Sequence, residues 1–133
     1  MVSWLAATDN GSTVTSYTIT FKQSDNNFSA DTTNCDGSDA GIMSALSCTV
    51  PFSVFTSAPF SLSYGNQVYA KVLATNANGS STASAESNGV AIPSTTPDAP
   101  INLQVNESSR TADSFEITWT AGASDGGASI SGY

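Results

Sequence analysis

The chain contains no histidine, and only three cations, Lys22, Lys71 and Arg110, against eleven Asp and Glu. Each shortage closes off a class of function. Without histidine, a serine or cysteine triad has no ordinary base, and a hydrolytic metal site loses its commonest ligand. No pair of acids is flanked by a cleft-forming pattern, so no catalytic residues are expected and the chain does not read as an enzyme. Three scattered cations cannot displace the counterions of a phosphate backbone, which excludes nucleic acid as a partner. A net charge of −8 likewise opposes electrostatic docking on an anionic membrane. No run approaches the ~20 apolar residues of a spanning helix, so membrane insertion is not expected. Charged residues make up 11% of the chain, where about a quarter is usual. Solubility must come from another source.

That source is hydroxyl: 23 Ser and 16 Thr among 133 residues. Such a coat suits a secreted or cell-surface protein better than a cytosolic one. The length leaves room for one modest core.

Residues 2–17, VSWLAATDNGSTVTSY, come round again at 117–133 as ITWTAGASDGGASISGY. Trp4 answers to Trp119 at an offset of 115, while Asp9 answers to Asp125 and Tyr17 to Tyr133 at an offset of 116. One period of a head-to-tail repeat plus a short overlap is expected, an organisation that serves mechanical or adhesive roles. Residues 1–30 lack the basic start and apolar stretch of a secretion signal. Met1 falls where Glu116 falls in the next copy, mid-strand. The sequence therefore reads as a window on a longer polypeptide.

Apolar and hydroxyl residues alternate with period two, and turn clusters separate the runs. At 17–22, Tyr17, Ile19 and Phe21 share one face, with Thr18, Thr20 and Lys22 on the other, as in a half-solvated antiparallel sheet. At 67–75, Tyr69, Lys71 and Leu73 alternate with Val68, Ala70, Val72 and Ala74. Asn78-Gly79 turns the chain into a weaker strand over 81–92. Residues 93–100, PSTTPDAP, read as a stiff Pro-rich linker. Strands at 101–105 and 114–120 and a Gly126-Gly127 loop follow. Strands of this length with no helices between them argue a β-sandwich.

This motif set resembles the fibronectin type III family. Asp98-Ala99-Pro100-Ile101-Asn102-Leu103 is similar to its Pro-containing first strand, and Trp4 and Trp119 match the core Trp of its second. The Gly/Asp-rich loop leading to an aromatic strand is matched by Tyr17 and Tyr133. Residues 68–79 resemble its Tyr-x-x-x-Val-x-Ala-x-Asn-x-x-Gly signature with one residue of slack. Leu62 and Gly65 stand where the family keeps its tyrosine-corner leucine and turn glycine. The resemblance implies an all-β, immunoglobulin-like antiparallel β-sandwich arranged in tandem, extracellular and without catalytic machinery. Its core would hold Trp4, Tyr17, Leu62, Tyr69 and Trp119. Residues 1–95 would form one such sandwich starting at its second strand, with an insertion at about 30–60, and 98–133 the first strands of the following repeat. The missing first strand is expected from covalently preceding sequence or, as the alternative, from 101–105 of a neighbouring chain.

Two cysteines without histidine cannot complete a four-ligand zinc site, and Cys35 and Cys48 are too far apart for a Cys-x-x-Cys redox pair. A structural disulfide clipping the insertion is the natural reading, and two free thiols in a cytosolic protein the alternative. Four Asn-x-Ser/Thr triplets, at Asn10, Asn27, Asn78 and Asn106, are N-glycosylation candidates, although chance alone supplies about three in such a composition. Ser94, Thr95 and Thr96 are candidates for O-linked sugar. Asn34, Asp36, Ser38 and Asp39 offer oxygens within six residues, but the spacing lacks the bidentate Glu of a calcium loop, so neither calcium nor any other cofactor is expected. The two Trp lie in alternating strands, which favours the core over an exposed platform for sugars. The expected role is a non-enzymatic structural repeat of an extracellular fibre, stalk or large surface protein, partnered by neighbouring copies of itself. The alternative is an adhesion module binding glycan or protein, or an accessory domain of a secreted enzyme.

Overall fold

A computed structural model describes all 133 residues and divides them into two units, Met1–Ile92 and Pro93–Tyr133. Both consist mostly of antiparallel β-strands, with few helices. The first unit runs β1 (Val2–Ser3), β2 (Ser16–Lys22), β3 (Phe28–Ala30), α1 (Ala40–Ala45), β4 (Ser47–Cys48), α2 (Phe52–Phe55), β5 (Gln67–Val68), β6 (Ala70–Asn76), β7 (Gly79–Ser80) and β8 (Val90–Ala91). A four-stranded sheet has the order β3-β2-β6-β7, and β1 pairs with β4 and β5 with β8.

The core follows from the alternation in β2. Tyr17, Ile19 and Phe21 are buried while Thr18 is exposed. Phe21, fully buried, meets Phe55 at 5.1 Å and Phe60 at 6.2 Å, both edge-to-face, the orientation the ring quadrupole prefers. Val68, Ala70, Leu62 and Ile92 close the cluster, and Val72 and Ala74 pack against it.

Residues 30–60, expected as an insertion, are part of this core. Residues 30–60 carry α1, β4 and α2 and contribute Cys35, Cys48, Phe55 and Phe60 to the buried cluster. Cys35 and Cys48 are disulfide-bonded, with Cα atoms 5.3 Å apart. Gly37 lies against β2, where its carbonyl accepts from the Tyr17 N–H at 2.9 Å; a Cβ there would collide with the Tyr17 carbonyl oxygen.

Two expectations within this unit are corrected. Tyr69 is not a core residue: it is only half-buried and faces outward beneath Lys22, while Val68 beside it is buried. Val68 lies two residues before Ala70 and four before Val72, on the face that packs on the core. The period of two then forces Tyr69 to the other face. The segment 81–92 is also not one strand. Between β7 and β8, Ser81, Ser84 and Ser87 dock on β6 at every third residue. Their N–H groups donate to the carbonyls of Ala74, Val72 and Ala70 at 2.8, 2.9 and 3.0 Å. Their hydroxyls accept from the N–H groups of the same three residues at 3.0, 3.1 and 3.0 Å. Six residues here span four of β6, roughly 13 Å at strand rise, which is too contracted for an extended strand.

The second unit contains β9 (Ile101–Asn106), a single 3₁₀ turn at Glu107–Ser109, and β10 (Glu116–Thr120). β9 and β10 pair antiparallel, with Glu116 opposite Asn106, Val105 opposite Ile117, Gln104 opposite Thr118, and Ile101 opposite Thr120 after a bulge. The Pro-rich segment is folded into this unit: Thr95 N–H donates to the Gly126 carbonyl and Asp98 N–H to that of Ser124, each at 2.9 Å. Gly126 has φ +72, and a Cβ on it would strike the Thr95 carbonyl. The expectation of a buried Trp119 is corrected. Its side chain is 44% exposed, because the hairpin has no second layer of strands over that face.

Candidate functional site

The residues of the repeat converge on one feature in each unit. Trp4 packs on Tyr17 with ring centroids 5.6 Å apart at 56°, and Trp119 packs on Tyr133 at 5.6 Å and 54°. The intervening turn also recurs. Asp9 Oδ1 accepts from Gly11 N–H at 3.1 Å, and Asp125 Oδ1 from Gly127 N–H at 2.8 Å, so both acids close turns.

In the first unit this corner lines a cleft. One edge of β1 is taken by β4, with Val2 opposite Cys48 and Ser3 opposite Ser47, and Trp4 N–H continues the pairing to the Leu46 carbonyl at 3.0 Å. No strand pairs with the other edge. A cleft of about 430 Å³ opens there, walled by Trp4, Leu5, Tyr17, Val72, Ala74 and Ser84. Tyr17 Oη accepts from Ala7 N–H at 3.2 Å and ties the chain leaving β1 to the corner. The Trp4 Nε1 is buried without an acceptor, so one wall carries an unspent donor. In the second unit a cleft of about 520 Å³ is walled by Pro97, Pro100, Leu103, Trp119, Ile130 and Tyr133.

On the outer face of the four-stranded sheet, Glu86 lies 3.4 Å from Lys22 and 3.5 Å from Lys71. Lys71 Nζ sits 4.1 Å from the Phe28 ring centroid and Lys22 Nζ 5.6 Å from that of Tyr69. Two of the three cations are thus spent on one acid and two rings, an arrangement of modest surface stability.

The acids flanking the disulfide serve their own loops. Asp31 accepts from the N–H groups of Thr33 and Asn34 and from the Asn34 amide. Asp39 caps α1, accepting from Gly41 and Ile42. Asp36 accepts from the Ser38 hydroxyl and N–H, in that order of weight, which holds its carboxyl below the ordinary value. Asp25 is lowered likewise, by the backbone and then the side-chain amide of Asn27. No three His, Cys, Asp or Glu side chains gather as a metal-holding group.

The four sequon asparagines are spread over both units. Asn10, Asn27 and Asn78 are exposed and Asn106 is half-buried. The Asn27 amide nitrogen already donates to Asp25 at 2.8 Å, and that of Asn106 to Glu116 at 2.6 Å. Asn10 and Asn78 thus present the freer nitrogens. Of the expected core residues, Tyr17 and Leu62 are buried and Trp4 partly so. The serine rail at 81, 84 and 87 carries a Ser-x-x-Ser-x-x-Ser spacing, a period of three that the alternation expected of a strand over 81–92 does not contain.

No family model, curated protein or solved structure matches the chain. No helix is long and apolar enough to cross a membrane.

Proposed function

We propose that the chain is a non-enzymatic structural repeat of an extracellular fibre, stalk or large surface protein, built from fibronectin type III-like sandwiches. The single observation that carries the reading is the Trp–Tyr corner, made twice with the same separation and nearly the same tilt at sequence offsets of 115 and 116. A sequence that builds one packing unit repeatedly is suited to length, since each unit needs only its neighbours. The strand order supports the fold assignment. In immunoglobulin-like sandwiches strands B and E share one sheet and C, F and G the other. Here β1 pairs with β4, and β2, β6 and β7 are adjacent in the second sheet. The disulfide is compatible with an oxidising, extracellular setting, and Asn10 and Asn78 are its best-placed glycan carriers. Neighbouring copies of the repeat are the partners.

Electron microscopy of native assemblies tests the reading. Uniform filaments with a spacing near one sandwich length are expected, and isolated beads beside an unrelated domain would refute it. The exposed Trp119, beside Tyr133 in its cleft, favours a second reading as a glycan-binding module. Titration with oligosaccharides separates the two: the scaffold reading expects no saturable quenching in a Trp4→Phe background, where Trp119 is the only indole.

A further inference from the structure

We propose that Asn88-Gly89 is a self-modification site, at which the Gly89 backbone nitrogen attacks the Asn88 carboxamide and converts Asn88 to aspartate and isoaspartate. A glycine after the asparagine favours this reaction, because a Cβ there would crowd the attacking nitrogen. Three Asn-Gly dipeptides occur, at Asn10, Asn78 and Asn88. The fold treats their nitrogens differently. The Gly11 N–H donates to the Asp9 carboxylate at 3.1 Å, and the negative charge holds the proton that must leave. Gly79 lies in β7 opposite Asn76. Bonded and non-bonded pairs alternate along an antiparallel ladder. Ser81 N–H donates to the Ala74 carbonyl, so Asn76 and Gly79, two pairs along, again form a bonded pair. The same count frees Gly89. Ile92 N–H donates to the Asn66 carbonyl, so Val90 and Val68 are the next bonded pair. Gly89, opposite Tyr69, then falls on a non-bonded one. No carbonyl receives its N–H, and Asn88 beside it is exposed.

The fold also requires this glycine. Gly89 has φ +71, and a Cβ on it would lie 2.7 Å from the Gln67 Oε1 and 2.8 Å from the Tyr69 ring. The entry into β8 thus imposes the reactive dipeptide. In the reaction a bond forms between the Gly89 nitrogen and the Asn88 Cγ. The carboxamide nitrogen leaves as ammonia, taking the displaced proton, and a cyclic succinimide remains. Water opens the ring at either of its two carbonyls. One opening gives aspartate, the other isoaspartate, whose backbone runs through Cγ and is one atom longer; no electrons are transferred. The added atom falls between Ser87, the last serine of the rail, and β8. One of these two attachments must yield. Ser87 is exposed, whereas β8 leads into Ile92, which is 1% exposed in the core. The two bonds between Ser87 and Ala70 are therefore the ones lost.

Incubation of the whole chain at mildly alkaline pH, followed by peptide mapping, tests the site. Conversion at Asn88 should run several-fold ahead of that at Asn10 and Asn78. In urea the three should draw level, because only the fold separates them. Equal rates in the folded chain, a faster Asn10 or Asn78, or an order that survives in urea would overturn the proposal. Amide exchange reads the consequence. The incubated chain should exchange several-fold faster at the Ala70 N–H, with the Ile92 N–H still protected. An Asn88→Gln chain incubated alongside should keep both, as should a fresh Asn88→Asp chain, which has the charge without the extra atom. Loss at Ala70 in either variant, or none in the converted chain, would overturn the loosening of the rail.

Discussion

In Met1–Ile92 the Trp4–Tyr17 corner is backed by Phe21, Phe55 and Phe60, whereas in Pro93–Tyr133 the matching Trp119–Tyr133 corner has nothing behind it. The rings meet alike in both, yet Trp4 is half-buried against a core and Trp119 is open. The corner is thus a local product of sixteen or so residues, the strand, its Asp-x-Gly turn and the next aromatic. Burial is supplied from elsewhere in the chain, by elements such as α2 and β6. Recognising the first kind of feature in a sequence does not establish the second.

Truncation in the two units should separate these contributions most sharply. Phe21→Ala removes a fully buried ring and should cost about 4 kcal/mol, against less than about 0.5 for Phe115→Ala, whose side chain is exposed. Urea unfolding followed by circular dichroism measures both, and similar losses would mean the second unit has a core of its own. Replacing both Cys35 and Cys48 by Ser comes next. For their sequence separation of 13, chain entropy predicts a loss of about 3 kcal/mol, confined to the first unit. A change in the β9–β10 amide resonances on reduction would contradict that confinement.

A smaller effect probes the serine rail, for which the hairpin has no counterpart. Ser84→Ala removes the hydroxyl that accepts from Val72 N–H and should cost about 1 kcal/mol, while Thr82→Ala beside it should be neutral. Faster hydrogen exchange at Val72 in the Ser84 variant alone is the expected signature. The smallest effect is acid-dependent. The folded-state pKa values of Asp25 and Asp36 are lowered, so their stabilisation is present above the unfolded carboxylate pKa and is lost as pH falls through the folded value. Both groups are exposed, so Asp25→Asn and Asp36→Asn should only flatten the pH slope of the unfolding midpoint slightly below about pH 4. A change of slope near neutrality would contradict the assignment.

The strands that alternate strictly were legible in the sequence. β2, the hairpin strands and the face of Val68, Ala70, Val72 and Ala74 all follow from a period of two, and the disulfide from the scarcity of other uses for two cysteines. Tyr69 was misassigned because a one-residue slip in a strand exchanges its faces, and the motif had been matched with one residue to spare. Trp119 was misassigned because alternation reports which face a residue shares, not whether another layer covers it. The core role of residues 30–60 was invisible for a similar reason: nothing local in residues 40–55 says that Phe55 will meet Phe21.

The serine rail meshes a three-residue step with a two-residue step, in the manner of a vernier scale. Only Ser81, Ser84 and Ser87 coincide with Ala74, Val72 and Ala70. Losing or gaining one residue in this stretch would not slide the match to a neighbouring notch; it would disengage the teeth beyond that point. The stretch is irregular in outline and exposed along its length, and its residue count is nevertheless as constrained as that of a strand.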